Sequence, residues 1–168
     1  MAESEQNQQF SASDVQHLAG LSYRQLNDWE ARGIGGTNDD RGAKWRRYSP
    51  KQIFALMVCA EFRKRFGIPV ERLGFVQQFM FQDDADHLQA AVELMALLGV
   101  GVWIVTDFED TFIMDSELEF TDLIALGWVR GEGSKAFVWL KVNPIVNRIL
   151  ACRKESRFSS VNTVRDTS

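Results

Sequence analysis

Apolar residues recur every three or four positions through most of the first eighty residues, the spacing of helices with one buried face. Ser11-Ala-Ser-Asp14 reads as a helix start, with Ser11 or Ser13 able to cap free amide groups. The helix it opens runs to about Ala19 and places Val15 and Leu18 on one side; Gly20 breaks it. Ser22 caps a second helix, Tyr23 to Ala31, which turns Leu26 and Trp29 inward and closes at Arg32-Gly33. Ser49-Pro50, a cap followed by proline at the first helical position, opens a third. Ile53, Phe54, Leu56, Met57, Ala60 and Phe62 make it broadly apolar, so it belongs at the centre of a small domain, and Gly67 ends it. Pro69 begins a fourth helix through about Phe81, with Val70, Leu73, Val76 and Phe79 or Met80 on its inner side.

Between the second and third helices this periodicity disappears. Residues 33–48 hold four glycines, little apolar content and a basic-aromatic end, which suits a hairpin lying on the surface rather than in the core. Beyond the polar break at Asp83-Asp-Ala-Asp86 a fifth helix spans Ala85 to Leu98, and Gly99 and Gly101 stop it. Val100 to Thr106 and Thr111 to Asp115 read as strands joined by a hairpin at Asp107-Phe-Glu-Asp110. Leu118 to Leu126 is an amphipathic helix, Phe137 to Val142 a third strand, and Pro144 to about Cys152 a last helix. The expected fold is α+β, with a helical domain at residues 10–82 and an α-β-β-α-β-α module at 83–152. Polar tails at 1–9 and 153–168 are expected to be disordered.

The 168 residues are 45% hydrophobic and 25% charged, an ordinary globular composition with a net charge of −4. That total conceals a division. Residues 20–72 carry 11 Lys/Arg against 6 Asp/Glu, whereas residues 82–150 carry 4 against 12. A basic working face joined to an acidic module follows. The longest apolar candidate, Ala90 to Val105, contains Glu93 and two glycines, too broken for a membrane span. The start, MAESEQNQQ, has neither the basic residues nor the apolar stretch of a secretion signal, so the cytoplasm is the expected location.

Cys59 and Cys152 lie far apart, and His17 and His87 are isolated, so neither a metal nor any other cofactor is expected. Cys59, inside the run IFALMVCA, reads as a small buried residue. Asp107, Glu109, Asp110, Asp115, Glu117 and Glu119 fall mostly on a hairpin turn and a helix start, where carboxylates cap and face solvent. No catalysis is expected of them. Trp103, Trp128, Trp139, Phe112 and Phe120 read as the core of the small α/β layer rather than the lining of a pocket.

Two short helices joined by a Gly-containing turn have the spacing of a helix-turn-helix, whose second helix lies in the DNA major groove. Ser22, Tyr23, Arg24, Gln25, Asn27 and Asp28 occupy the first two turns of that helix. Arg24 and Gln25 suit bidentate contacts to guanine and adenine edges, Tyr23 and Asn27 suit bases or phosphates, and the amides near Ser22 favour a phosphate. A solvated helix face would have a similar composition. The segment Lys44-Trp-Arg-Arg-Tyr48 is sharper, because it sets three cations and two rings after a glycine-rich loop that also contains Arg41. Lys44, Arg46 and Arg47 can pair with phosphates, Tyr48 can donate its hydroxyl to one while its ring packs, and Trp45 either anchors the hairpin or meets the groove.

The stretch Phe10 to about Leu73 resembles the DNA-binding domain of the MerR family. The resemblance rests on Gly20-Leu-Ser22, Leu26-Asn-Asp-Trp29-Glu-Ala-Arg-Gly33, Arg46-Arg-Tyr48-Ser49 and Gly67-Ile-Pro69 taken together. It implies a winged helix-turn-helix whose recognition helix begins near Ser22 and whose wing grips phosphate through Arg46, Arg47 and Tyr48. Many members carry Arg-Tyr where this chain has Asn27-Asp28, and Asp28 would repel phosphate. Metal- and drug-sensing members continue into a long coiled-coil helix, which the glycines near residue 100 exclude here; the second half is similar instead to a subgroup with a compact α/β module.

The expected function is therefore that of a sequence-specific transcriptional regulator, not an enzyme, binding double-stranded DNA at a roughly palindromic site as a homodimer. The apolar helix positions Val92, Leu94, Met95 and Leu98 are the candidate dimer face. RNA polymerase or another protein is a candidate partner of the second half, no membrane partner is expected, and nucleoid association follows from DNA binding. An architectural or recombination accessory protein without an effector is the alternative. A third reading, motivated by Asp28 and the acidic half, is a protein adaptor that does not bind DNA.

Overall fold

In a computed structural model the described residues are 9–35, 46–81, 87–99, 101–106, 111–115 and 138–162. The chain opens with a two-residue strand, β1 (Phe10–Ser11), and helix α1 (Ala12–Ala19). Ser11 and Asp14 form a capping box: the Asp14 amide donates to Ser11 Oγ at 3.2 Å, and Asp14 Oδ2 accepts from the Ser11 amide at 2.8 Å. Gly20 takes φ +66 and closes the helix in the left-handed conformation, which a side chain would resist. Helix α2 (Tyr23–Ala31) follows after Leu21 and Ser22. Strand β2 (Arg47–Tyr48) pairs antiparallel with β1, Phe10 opposite Tyr48 and Ser11 opposite Arg47. A ladder of two residues is too short to leave a periodic signal in the sequence.

Helix α3 (Pro50–Phe66) carries seven consecutive buried residues, Ile53 to Cys59, and so is enclosed on every side as its composition suggests. It packs against α1 and β2 on the N-terminal side and against the elements of the second half on the other. Burial pushes the Cys59 thiol well above its ordinary pKa. The fourth expected helix is divided: Pro69 stays extended, Val70–Arg72 make a 3-10 turn, and α4 (Gly74–Phe81) starts afterwards. Pro69 gives the turn no side-chain cap, and Gly74 lowers helical propensity at the break. Val70, Leu73, Val76 and Met80 are nevertheless the buried positions.

The second half contributes α5 (His87–Leu98), β3 (Val102–Thr106), β4 (Thr111–Asp115), β5 (Val138–Lys141) and α6 (Asn143–Asn162). The three strands form an antiparallel sheet in the order β4-β3-β5, with Ile104 opposite Ile113 on one side and Leu140 on the other. The start of α6 is joined to β3, since the Val102 amide donates to Asn143 Oδ1 at 2.8 Å and the Val142 amide to the Val102 carbonyl at 2.9 Å. Trp103 and Trp139 are only half-buried; Val102, Ile104, Val105 and Leu140 fill the layer instead. The Lys141 ammonium sits over the Trp103 ring, 5.6 Å from its centre, so one face of that ring meets charge rather than core.

Helix α6 runs ten residues beyond Cys152, where the apolar pattern ends, because nothing in residues 153–162 breaks a helix. His87 stacks on Phe79 at 4.2 Å and holds its Nε2 2.9 Å from the Phe79 carbonyl, tying α5 to α4. The buried cluster is continuous from Phe10 to Ile149, so α3 belongs to the cores of both halves. Among the described residues no helix is long and apolar enough to cross a membrane. The cap at Asp83–Asp86, the turn at Asp107–Asp110, the helix expected at Leu118–Leu126, Phe120, Trp128 and the Phe112 side chain lie outside what the structure describes.

Candidate nucleic-acid interface

The turn between α1 and α2 is set by Gly20 and by Leu21, which is buried and points the chain back toward the core. Ser22 then starts α2 through a second capping box: its Oγ accepts from the Gln25 amide at 3.2 Å, and Gln25 Oε1 accepts from the Ser22 amide at 2.8 Å. Leu26 and Trp29, buried three apart, fix the helix on the core. The opposite face is therefore presented to solvent. Tyr23 is 56% exposed there, beside the exposed Arg24, Gln25 and Asp28 and the half-buried Asn27.

Gln25 has a structural task as well, as the partner of Ser22 in the cap. Reading an adenine edge with both amide atoms requires a carbonyl oxygen able to accept from the base. That oxygen already accepts from the Ser22 amide, so a bidentate contact would have to use its second lone pair or open the cap.

Strand β2 alternates as a strand must: Arg47 is exposed and Tyr48 is buried. The Tyr48 hydroxyl donates to Glu30 Oε1 rather than facing solvent. Burial, and next Glu30, raise its phenol well above the ordinary value. Arg46 meets the same carboxylate from outside, Nη1 lying 2.7 Å from Glu30 Oε2, and it also donates to Asn27 Oδ1. Strand β2 and the residue before it are thus fastened to α2 at one acidic side chain. Arg24, Gln25, Asn27, Arg46, Arg47 and Tyr48 are brought onto α2 and the strand docked against it, whereas Arg41, Lys44 and Trp45 lie outside the described residues.

Asp28 does not face the surroundings uncompensated. Arg32, one turn on, pairs with it at 3.1 Å and reaches Glu71 at 2.7 Å, linking the end of α2 to the 3-10 turn. Asp28 foremost, then Glu71, raise the Arg32 pKa. Glu71 is lowered by a backbone hydrogen bond and then by Arg32. These groups are exposed, so the gain in stability is small, and one guanidinium shared between two carboxylates offsets the Asp28 charge only in part.

The glycine-rich loop also proves less superficial at its start than its polarity implies. Ile34 is buried, its amide donating to the Trp29 carbonyl at 2.9 Å. Gly35 adopts φ +98 against α3, where an added Cβ would lie 2.8 Å from Leu56 Cδ2. Sequence reading passed over Glu30 because its partners stand 16 and 18 positions away, beyond any helical spacing. The Asp28–Arg32 pair, at i and i+4, carried a readable signal.

Residues 10–76 match the family model described as MerR HTH family regulatory protein. A search of curated proteins and one of solved structures gave no match.

Proposed function

We propose that this chain, whose residues 10–76 match the MerR helix-turn-helix family model, is a cytoplasmic, nucleoid-associated transcriptional regulator that binds a roughly palindromic operator as a homodimer. The observation that carries this reading is the exposed polar face of α2 standing next to Arg46 and Arg47 at the base of the wing. Major-groove entry by α2 puts Arg24 against a guanine edge and Tyr23 and Asn27 within reach of bases or backbone. Arg47, with Arg41 and Lys44 of the loop before it, pairs with phosphates, while the acidic second half is held off the duplex by its own charge. Pairing with Arg32, which also holds Glu71, lessens the repulsion between Asp28 and phosphate.

Two-fold symmetry would pair the two recognition helices with half-sites about one helical turn apart. Helix α5 is the candidate dimer surface; of the positions that the sequence suggested, the Leu94 and Leu98 side chains lie outside what the structure describes. Val92 and Met95 pack on the core, and Ala90, Ala96 and Leu97 are exposed, Leu97 to 81%. RNA polymerase is a candidate partner of the second half, and distortion of a promoter spacer the candidate mode of regulation.

Selection from random duplexes tests the reading. It should return a symmetric site, and Arg24→Ala should relax one position of each half-site by about 1–3 kcal/mol. Recovery of no preferred sequence would contradict it and favour an architectural protein.

A further inference from the structure

We propose that Glu30 is the positioning residue of the DNA interface: its carboxylate holds the Arg46 guanidinium and the Tyr48 hydroxyl together, so that the wing and α2 meet DNA as one rigid unit. This rests on the DNA-binding reading above. The geometry is unusual for a surface built to meet phosphate. An acidic side chain, only 19% exposed, stands between the helix and the wing, with one oxygen toward Tyr48 and the other 2.7 Å from Arg46. Tyr48 is buried and paired with β1 through Phe10, so the carboxylate is anchored on a fixed group. Arg46 lies on the outside of that anchor with its side chain 40% exposed.

A guanidinium has five donors in a planar fork. Nη1 is the atom that meets both Glu30 and Asn27, which restrains the fork and leaves its Nε and Nη2 donors to meet the backbone of a bound duplex in the proposed complex. A free arginine side chain would lose its rotamer entropy on binding; a held one has already lost it. Asn27 takes part in the same arrangement. It therefore serves this chain as a link between α2 and β2.

The proposal makes a prediction opposite in sign to simple electrostatics. Removing a negative charge near phosphate should strengthen binding by Coulomb attraction alone. If Glu30 positions Arg46, Glu30→Ala should instead weaken binding roughly tenfold, the worth of a lost hydrogen bond to a charged group. The slope of log affinity against log salt should then fall by about one as the Arg46 contact is lost. Glu30→Gln keeps an oxygen for Arg46 and should restore most of the affinity.

The measurement is a salt titration of duplex DNA binding by the full chain and its variants, each first matched to wild type by circular dichroism and melting temperature. Arg47→Ala serves as the control that does not involve Glu30. Weakening by Glu30→Ala with recovery by Glu30→Gln supports the proposal. Unchanged or tighter binding by a folded Glu30→Ala protein overturns it, as does equal weakening by both substitutions. If Glu30→Ala does not fold, Glu30→Gln and Tyr48→Phe decide. The first should bind nearly as wild type with its salt slope kept, and the second should loosen Arg46 and lower the slope; a reversed order overturns the proposal. Failure of wild-type protein to show any salt-dependent DNA binding, with Arg47→Ala unchanged from it, would overturn the parent reading instead.

Discussion

Single residues set two features of this chain that no helix or strand pattern determines. Gly35 is one: its positive φ and the 2.8 Å approach of an added Cβ to Leu56 leave no room for a side chain. Gly35→Ala combines strain with overpacking and should lower unfolding free energy by about 1–3 kcal/mol, read from urea denaturation. Cys59 is the other. Its folded-state pKa is raised by burial, so its neutral thiol contributes stability that is present below the unfolded value of about 8.5 and is lost as pH rises toward the folded one. Melting temperature should therefore fall between about pH 8.5 and 10 in wild type. The fall should be shallower in Cys59→Ala, whatever that substitution costs at neutral pH; parallel profiles would exclude the thiol as the cause.

At the scale of elements, the caps and glycine stops made α1, α2 and α3 legible. Ser11, Ser22 and Ser49 each accept from the amide three residues on, which is why their local spacing was sufficient. The elements that escaped reading depend on partners distant in sequence. The β1–β2 ladder has two residues per strand, and the 3-10 turn before α4 reflects the extended Pro69 rather than any loss of apolar spacing. The exposed face of α2 followed from the spacing of that helix alone, whereas Glu30 became visible only once the strand carrying Tyr48 was docked beside it. Helix α3 is the element on which the fold rests. Leu56→Ala should cost about 2–5 kcal/mol, since the residue is fully enclosed and lies against Gly35.

Over the whole molecule, the sequence suggested two modules separated near residue 82, and charge divides the chain at the same place. Packing does not: the buried cluster runs through α3 into α5, α6 and the three-stranded sheet. Ion pairing follows the same course, with Glu61 of α3 2.6 Å from Arg65 and 3.5 Å from Arg148 of α6. A shared core should unfold as a unit. Far-ultraviolet dichroism and tryptophan fluorescence are expected to report one coincident transition, and two separated transitions would show that the halves are independent. The shared helix also offers a physical route by which an event in the acidic half could bias the wing, since Leu56 touches the first residues of the loop.

The salt dependence of duplex binding by wild type and Arg47→Ala tests the central claim most directly. The account predicts tight, steeply salt-sensitive binding by wild type, and a slope smaller by about one phosphate contact in the variant, with an unchanged preferred sequence. Equal affinity and equal slope for the two proteins would contradict it.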